Sequence, residues 1–418
     1  MKLGNILTAS ALIIITSTAS ATYFGHEYEG TQTPIREGEQ AVIPLDTKDP
    51  SYDAWRTPLP DVSEGREPGT IPVVRFPGQG WMQLPTFFHQ PLAFTPADLE
   101  AGDVDIAILG ATTDMGSGMR GAGHGPNAVR NSAMYLGAGA RQPHMHVMVD
   151  PLEELNIVDY GNAPNDMMST ERTMHAVRSF VRSIAEVKHE DGRRVIPFIV
   201  GGDHSLMFAD VAALADVYGK GKIGVVHFDA HYDAGKYGMG HLINHGMPVY
   251  RLIEEGHIEG KNFIQVALRG YYPDEKAFGW MRENKFRYHT MAEIEERGWK
   301  AVMEDVMREA KEGTEYIYVS FDIDTLDPAF VPGTGTPEPG GLMPREAFPI
   351  VRRLCAENNL VGFELVELSP HMDPTYVSAL NANRIIRECL TGVAMNKGGI
   401  TEPNYKSPLT VKHGQDQD

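Results

Sequence analysis

From about residue 103 the chain alternates short apolar runs with amphipathic ones. The runs at 104–110, 195–200, 223–228, 263–268, 316–321 and 360–365 are rich in β-branched residues and flanked by glycine. That pattern predicts buried strands rather than helices. Between them, Met174, Val177, Val181 and Ile184 recur at helical spacing, as do Met207, Val211, Leu214 and Tyr218, with Gly219 as a stop signal. Strands alternating with helices imply an α/β fold of three layers, a mostly parallel central sheet with helices on both faces. In such sheets a ligand sits beyond the carboxyl ends of the strands.

The rest of the chain lacks this rhythm. Residues 1–21 have a short positive start, an apolar stretch and Ala19-Ser20-Ala21 at the end, the form of a secretory signal peptide. They imply export to the periplasm or the outside. The apolar stretch is too short to span a bilayer and no other is long enough, so no membrane partner is expected. Residues 22–84, rich in Pro, Gly and charge, read as an extended arm lying on the main domain or on a neighbouring subunit. A catalytic domain is expected over 85–397, with a loose polar tail over 398–418. Cys355 and Cys389 both fall in predicted helices, either as a disulfide or as two buried thiols.

Composition narrows the partner. The chain carries 37 Lys and Arg against 56 Asp and Glu, a net charge of -19, with no basic run. Nucleic acid is thereby excluded, because its binding rests on Lys and Arg neutralising phosphates. A small cationic ligand fits the general field.

The chemistry lies just past three of the expected strands. Gly201-Gly202-Asp203-His204-Ser205 follows the first, Asp229-Ala230-His231-Tyr232-Asp233 the second, and Asp322-Ile323-Asp324-Thr325-Leu326-Asp327 the third. Residues two apart at a strand end point the same way, so Asp229, His231 and Asp233 can converge, as can Asp322 and Asp324. With His204 they make two imidazoles and four carboxylates. Four clustered carboxylates repel one another, and divalent cations relieve that. One metal takes about three or four protein ligands, so six suggest two metals sharing carboxylates. An oxygen-rich set with two imidazoles suits Mn²⁺.

These stretches resemble the metal signatures of the ureohydrolase (arginase/agmatinase) family. The third runs on into Pro332-Gly333-Thr334-Gly335-Thr336-Pro337, which matches the family's Pro-Gly-Thr-Gly-Thr-Pro run, and the likeness spans roughly residues 85–395. The resemblance implies the arginase-like fold and a hydrolase acting on the C–N bonds of linear amidines, releasing urea. It implies two Mn²⁺ per subunit (Ni²⁺ in some relatives), one held by His204, Asp229, Asp233 and Asp322, the other by His231, Asp229, Asp322 and Asp324. It gives His245, in Asn244-His245-Gly246, the part of proton shuttle. Glu367, in Val366-Glu367-Leu368-Ser369-Pro370, would grip the guanidinium, and Asp324 would accept the attacking water's proton. Relatives are commonly trimers or hexamers, so a homo-oligomer is expected.

Substrate is read from departures. Arginases anchor an amino acid's α-groups shortly after the second metal stretch. Here that segment is Ala234-Gly235-Lys236-Tyr237-Gly238-Met239-Gly240 and the anchor is missing. The agmatinase branch fits better, and agmatine ranks first, guanidino acids second and guanidine third. Arg120-Gly121-Ala122-Gly123-His124-Gly125-Pro126 departs from the family's Arg-Pro-Gly-Ala-Arg-X-Gly-Pro and bears on the substrate's tail, while Lys236 would suit an anionic tail. Histone-deacetylase-like amidohydrolases, with one zinc, and a non-enzymatic metal-binding protein are the alternatives from other classes. The former conflicts with an intact second set of ligands, the latter with the presence of both His245 and Glu367.

Overall fold

The structure is a computed structural model. It describes residues 22–23, 26–27, 46–52, 64–74, 84–136, 142–271 and 273–401. The expected signal peptide and most of the expected tail lie outside these residues. The chain forms two compact units, Met1–Thr57 and Pro58–Asp418. In the first, Thr22–Tyr23 pairs antiparallel with His26–Glu27.

The second unit is built on eight strands: β1 (Ile106–Ala111), β2 (Ile157–Asn162), β3 (Ile196–Gly201), β4 (Ile223–Phe228), β5 (Phe263–Leu268), β6 (Arg287–Thr290), β7 (Tyr316–Asp322) and β8 (Leu360–Val366). Their order across the sheet is β2-β1-β3-β8-β7-β4-β5-β6. Every pairing is parallel. The helices are α1 (Pro96–Ala101), α2 (Gly125–Leu136), α3 (Pro151–Glu154), α4 (Thr170–Ala185), α5 (Leu206–Tyr218), α6 (Pro248–Glu254), α7 (Glu275–Glu283), α8 (Met291–Arg297), α9 (Trp299–Gly313), α10 (Pro344–Glu357) and α11 (Val377–Lys397).

Strand alternation explains the three layers. On β1, Ile106 and Ile108 join a cluster with residues of α2, α9, α10 and α11, whereas Ala107 and Leu109 join one with α4 and α5. Both faces are therefore dry, which is why the central strands are continuous apolar runs. All six expected strands are present. The two not anticipated, β2 and β6, are the sheet's edges. An edge strand has one neighbour and tolerates polar residues, so its sequence lacks the signal. On β2, Asp159 takes the Arg130 guanidinium at 2.7 and 2.9 Å, and on β6 the His289 ring lies between Glu293 and Glu309 at 3.0 and 3.2 Å.

Part of the expected arm packs on the sheet-bearing unit. Buried Asp98, in the first turn of α1, accepts Arg66 Nη2 on both oxygens at 2.8 Å and Gly69 N–H at 2.9 Å. Arg66 and these amides outweigh the opposing effect of burial and hold the Asp98 carboxyl well below the usual carboxylate range. At the far end of the chain, Cys355 of α10 and Cys389 of α11 are joined in a disulfide.

Strand order positions the site. β3, β8, β7 and β4 are neighbours, so the segments following them emerge side by side at the carboxyl edge. The strand ends are level, with Leu365 opposite Val200 and Phe321, and Phe228 opposite Phe321.

Candidate metal centre

All six expected metal ligands meet at this edge. His204 Nδ1 lies 3.0 Å from Asp229 Oδ2, 3.0 Å from Asp233 Oδ2 and 3.3 Å from Asp322 Oδ2. His231 Nδ1 lies 3.3 Å from Asp229 Oδ1 and 3.0 Å from Asp324 Oδ2. Each of the six is buried except His231, whose side chain is 12% exposed. Two sets of ligand atoms are each close enough to hold one ion: His204, His227, Asp229 and Asp233; and Asp229, His231 and Asp324. Asp229 belongs to both, as a bridging carboxylate must.

The donor set fits cations better than it fits itself. Buried His204 Nδ1 and Asp229 Oδ2 form no hydrogen bond among the described residues despite their proximity. Burial and the charges of Asp324 and Asp229 push the Asp322 carboxyl well above its usual range. Burial and Asp229 likewise raise Asp324. Burial opposes charge on Asp229 too, but His204, His227 and His231 outweigh it and hold that carboxyl well below. Carboxylates crowded until their affinities for protons split apart are what divalent cations stabilise.

The surrounding groups fix orientation. His204 Nε2 is 2.9 Å from Ser320 Oγ, which leaves Nδ1 toward the carboxylates. Asp324 Oδ1 accepts Ala230 N–H at 3.1 Å and Oδ2 accepts Thr336 Oγ1 at 3.3 Å. Thr336 lies in the Pro-Gly-Thr-Gly-Thr-Pro run, whose neighbouring turn is pinned by Arg269. Its Nη2 donates to the Asp324 and Glu338 carbonyls at 2.6 Å each.

Glu367 and His245 adjoin the cluster. Glu367 Oε1 accepts the His204 backbone N–H at 2.9 Å and lies 3.0 Å from His245 Nδ1. Its Oε2 is buried with no hydrogen-bond partner among the described residues. Thus one oxygen is held in place and the other is left without a partner among these residues. Burial disfavours the charged form of His245, but the Glu367 carboxylate outweighs it, and the imidazole holds its proton to higher pH than an ordinary histidine.

Sequence reasoning passed over His227, Gln265, Asp203 and Arg269. Gln265 Nε2 donates to the Tyr232 carbonyl at 2.8 Å, which fixes its amide, and lies 3.3 Å from His227 Nδ1. His227 Nε2 lies 3.1 Å from Asp229 Oδ2 without a hydrogen bond among the described residues. His227 thus stands with Asp229 in one candidate ligand set. It extends the two-residue spacing of 229, 231 and 233, a signal that was available. Asp203 accepts Ser117 N–H at 3.2 Å and Ser205 N–H at 3.1 Å. Burial, then the charge of Glu367, pushes it up to about 6.

The 120–126 loop stands beside the segment after β8. Asp114 Oδ2 accepts Gly121 N–H at 2.9 Å, and the positive φ of Gly121, 105°, makes the turn. The His124 and His371 rings meet edge-on with centroids 4.4 Å apart. Lys236, a candidate for an anionic tail, instead directs its ammonium over the Tyr250 ring at 5.9 Å.

The arginase family model matches residues 104–392. This chain belongs to the arginase family. A guanidinobutyrase from Pseudomonas aeruginosa is 33% identical over 73% of this chain and 91% of its own length. An agmatinase from Chromobacterium violaceum is 33% identical over 70% and 84%. A crystal structure of a hypothetical agmatinase from Burkholderia thailandensis superposes with a TM-score of 0.67 at 29% identity, covering 80% of this chain and 99% of that one. As an arginase-family member the protein is a hydrolase of guanidino C–N bonds, in a family that depends on a binuclear metal centre.

Proposed function

We propose that the protein hydrolyses agmatine to putrescine and urea with two Mn²⁺ per chain. The single observation carrying this is the free Glu367 Oε2, buried beside the His204–Asp229–Asp322 cluster. The absence of an amino-acid anchor in 234–240 and the net charge of -19 favour a substrate with cationic ends over arginine. His204, Asp229, Asp233 and Asp322 would hold one ion, and His231, Asp229, Asp322 and Asp324 the other. When bound, the two ions lower the pKa of water and so supply a nucleophile near neutral pH.

The protein's own groups do the rest. Glu367 Oε2 accepts a guanidinium N–H and sets the carbon beside the cluster. Asp324 takes a proton from the attacking water. His245, held at Nδ1 by Glu367 Oε1, delivers a proton from Nε2 to the departing amine. The Glu367 carboxylate outweighs burial and raises the proton affinity of His245 above that of an ordinary imidazole, which favours the charged donor.

A guanidino acid is the second reading. Arg120, on the loop that departs from the family pattern, donates to the Gly335 carbonyl at 3.3 Å and is paired with no carboxylate among the described residues. It would suit a carboxylate tail. Urea release from agmatine, 4-guanidinobutyrate, arginine and guanidine, with Mn²⁺ and with Ni²⁺, decides. Agmatine with Mn²⁺ should give the highest kcat/KM; a higher value for another substrate overturns the ranking, and no urea from any overturns the reading. We further propose export after removal of residues 1–21, supported by the Cys355–Cys389 disulfide, and assembly as a trimer or hexamer. The mass of the mature chain and of the native particle tests both.

A further inference from the structure

We propose that the cleft between the 142–151 segment and α11 binds a small oxyanion of the phosphate or sulfate type. The cleft has a volume of about 240 Å³ and is lined by Arg384, Arg387, His144, His146, Thr391 and the carboxylate-bearing Glu388 among others. It shares no residue with the metal centre.

Arg387 is the reason to expect a ligand. It is 8% exposed, and its one hydrogen bond among the described residues runs from Nη2 to the Gln142 carbonyl at 3.2 Å. Neither it nor Arg384 has a carboxylate partner among the described residues. The two nearby acids are committed elsewhere. Glu388 is taken by Arg352 and by His144, whose Nε2 lies 3.2 Å away. Asp150 caps α3, accepting Leu152 N–H at 3.1 Å. A guanidinium carries five donors, and its charge is costly to bury without compensation. Burial, then the neighbouring charge of Arg384, holds the pKa of Arg387 below its ordinary value, although Asp150 and Glu388 act the other way.

Size and shape narrow the occupant. Pockets for drug-sized ligands run to about 300–1,000 Å³, so this one takes something smaller. The planar fork of an arginine matches two oxygens of an oxyanion. Two arginines without a carboxylate partner among the described residues are also conspicuous in a chain of net charge -19.

The test titrates sulfate, and in a second arm inorganic phosphate, into the metal-loaded full chain at constant ionic strength, with chloride replaced. Binding is followed by calorimetry and thermal unfolding. The expected result is saturable binding with a raised Tm, at least tenfold weaker in Arg387→Gln and partly restored in Arg387→Lys. Urea release without added anion should match the unaltered protein in both variants. The tighter-binding arm names the occupant. If Arg387→Gln fails to fold, half-buried Arg384→Gln decides: at least fivefold weaker binding supports the site, unchanged binding overturns it. No saturable response beyond chloride, or equal affinity in Arg387→Gln, also overturns it, the latter by placing the anion elsewhere.

Discussion

Glu367 sits in left-handed backbone, φ 62°, as does Asp233 at φ 46°. Such conformations cost a non-glycine residue on the order of 1–3 kcal/mol. Both residues turn a side chain toward the cluster where the backbone leaves the sheet, so strain and chemistry coincide. His245 carries the clearest kinetic expectation. His245→Asn should lower kcat by about 10²–10⁴-fold, the usual span for a lost general acid, with a smaller effect on KM. The Glu367 carboxylate raises its proton affinity, so the charged donor is present at low pH and lost as pH rises past its pKa, above the free imidazole value of about 6.5. The alkaline limb of kcat should therefore fall above that value, and should vanish in the variant. A limb unchanged by the substitution would assign it to another group. The clustering of the six side chains was legible because a strand's two-residue period dictates which side chains converge. The role of Gln265 was not, because it depends on a carbonyl and a ring from a neighbouring segment far away in sequence.

Between elements, the disulfide joins α10 to α11 across a sequence separation of 34. Loop-closure entropy gives such a link about 3–4 kcal/mol. Reduction should lower Tm by several degrees, measured by unfolding with both thiols verified free by mass; an unchanged Tm would contradict the estimate. Asp98 ties the 64–74 segment to α1. Its depressed pKa means that this tie stabilises the fold above the unfolded carboxyl pKa and is lost as pH falls toward the folded one. Asp98→Asn should expose the segment to limited proteolysis at neutral pH, and equal cleavage rates would refute its role. Six strands could be read from their apolar runs because both faces are covered by helices. β2 and β6 could not, because polar partners satisfy an edge strand as well as apolar burial does. The pairing of Cys355 with Cys389 was equally hidden, since only the packing of two helices decides it.

For the whole molecule, the charge of -19 should draw in cations. With agmatine as substrate, kcat/KM should fall as salt rises toward about 0.15 M, where the screening length is about 8 Å. Zwitterionic 4-guanidinobutyrate should show little change, and a flat response for agmatine would remove steering from the account. The central claim is that two cations, shared through Asp229 at the carboxyl edge, are what make this sheet a guanidino hydrolase. Metal per chain, measured beside urea release in the intact protein and in Asp229→Asn, tests it most directly. Two ions and urea are expected from the former, and the loss of both metal and turnover in the latter. Urea production by a chain stripped of metal, or by Asp229→Asn at the unaltered rate, would contradict it.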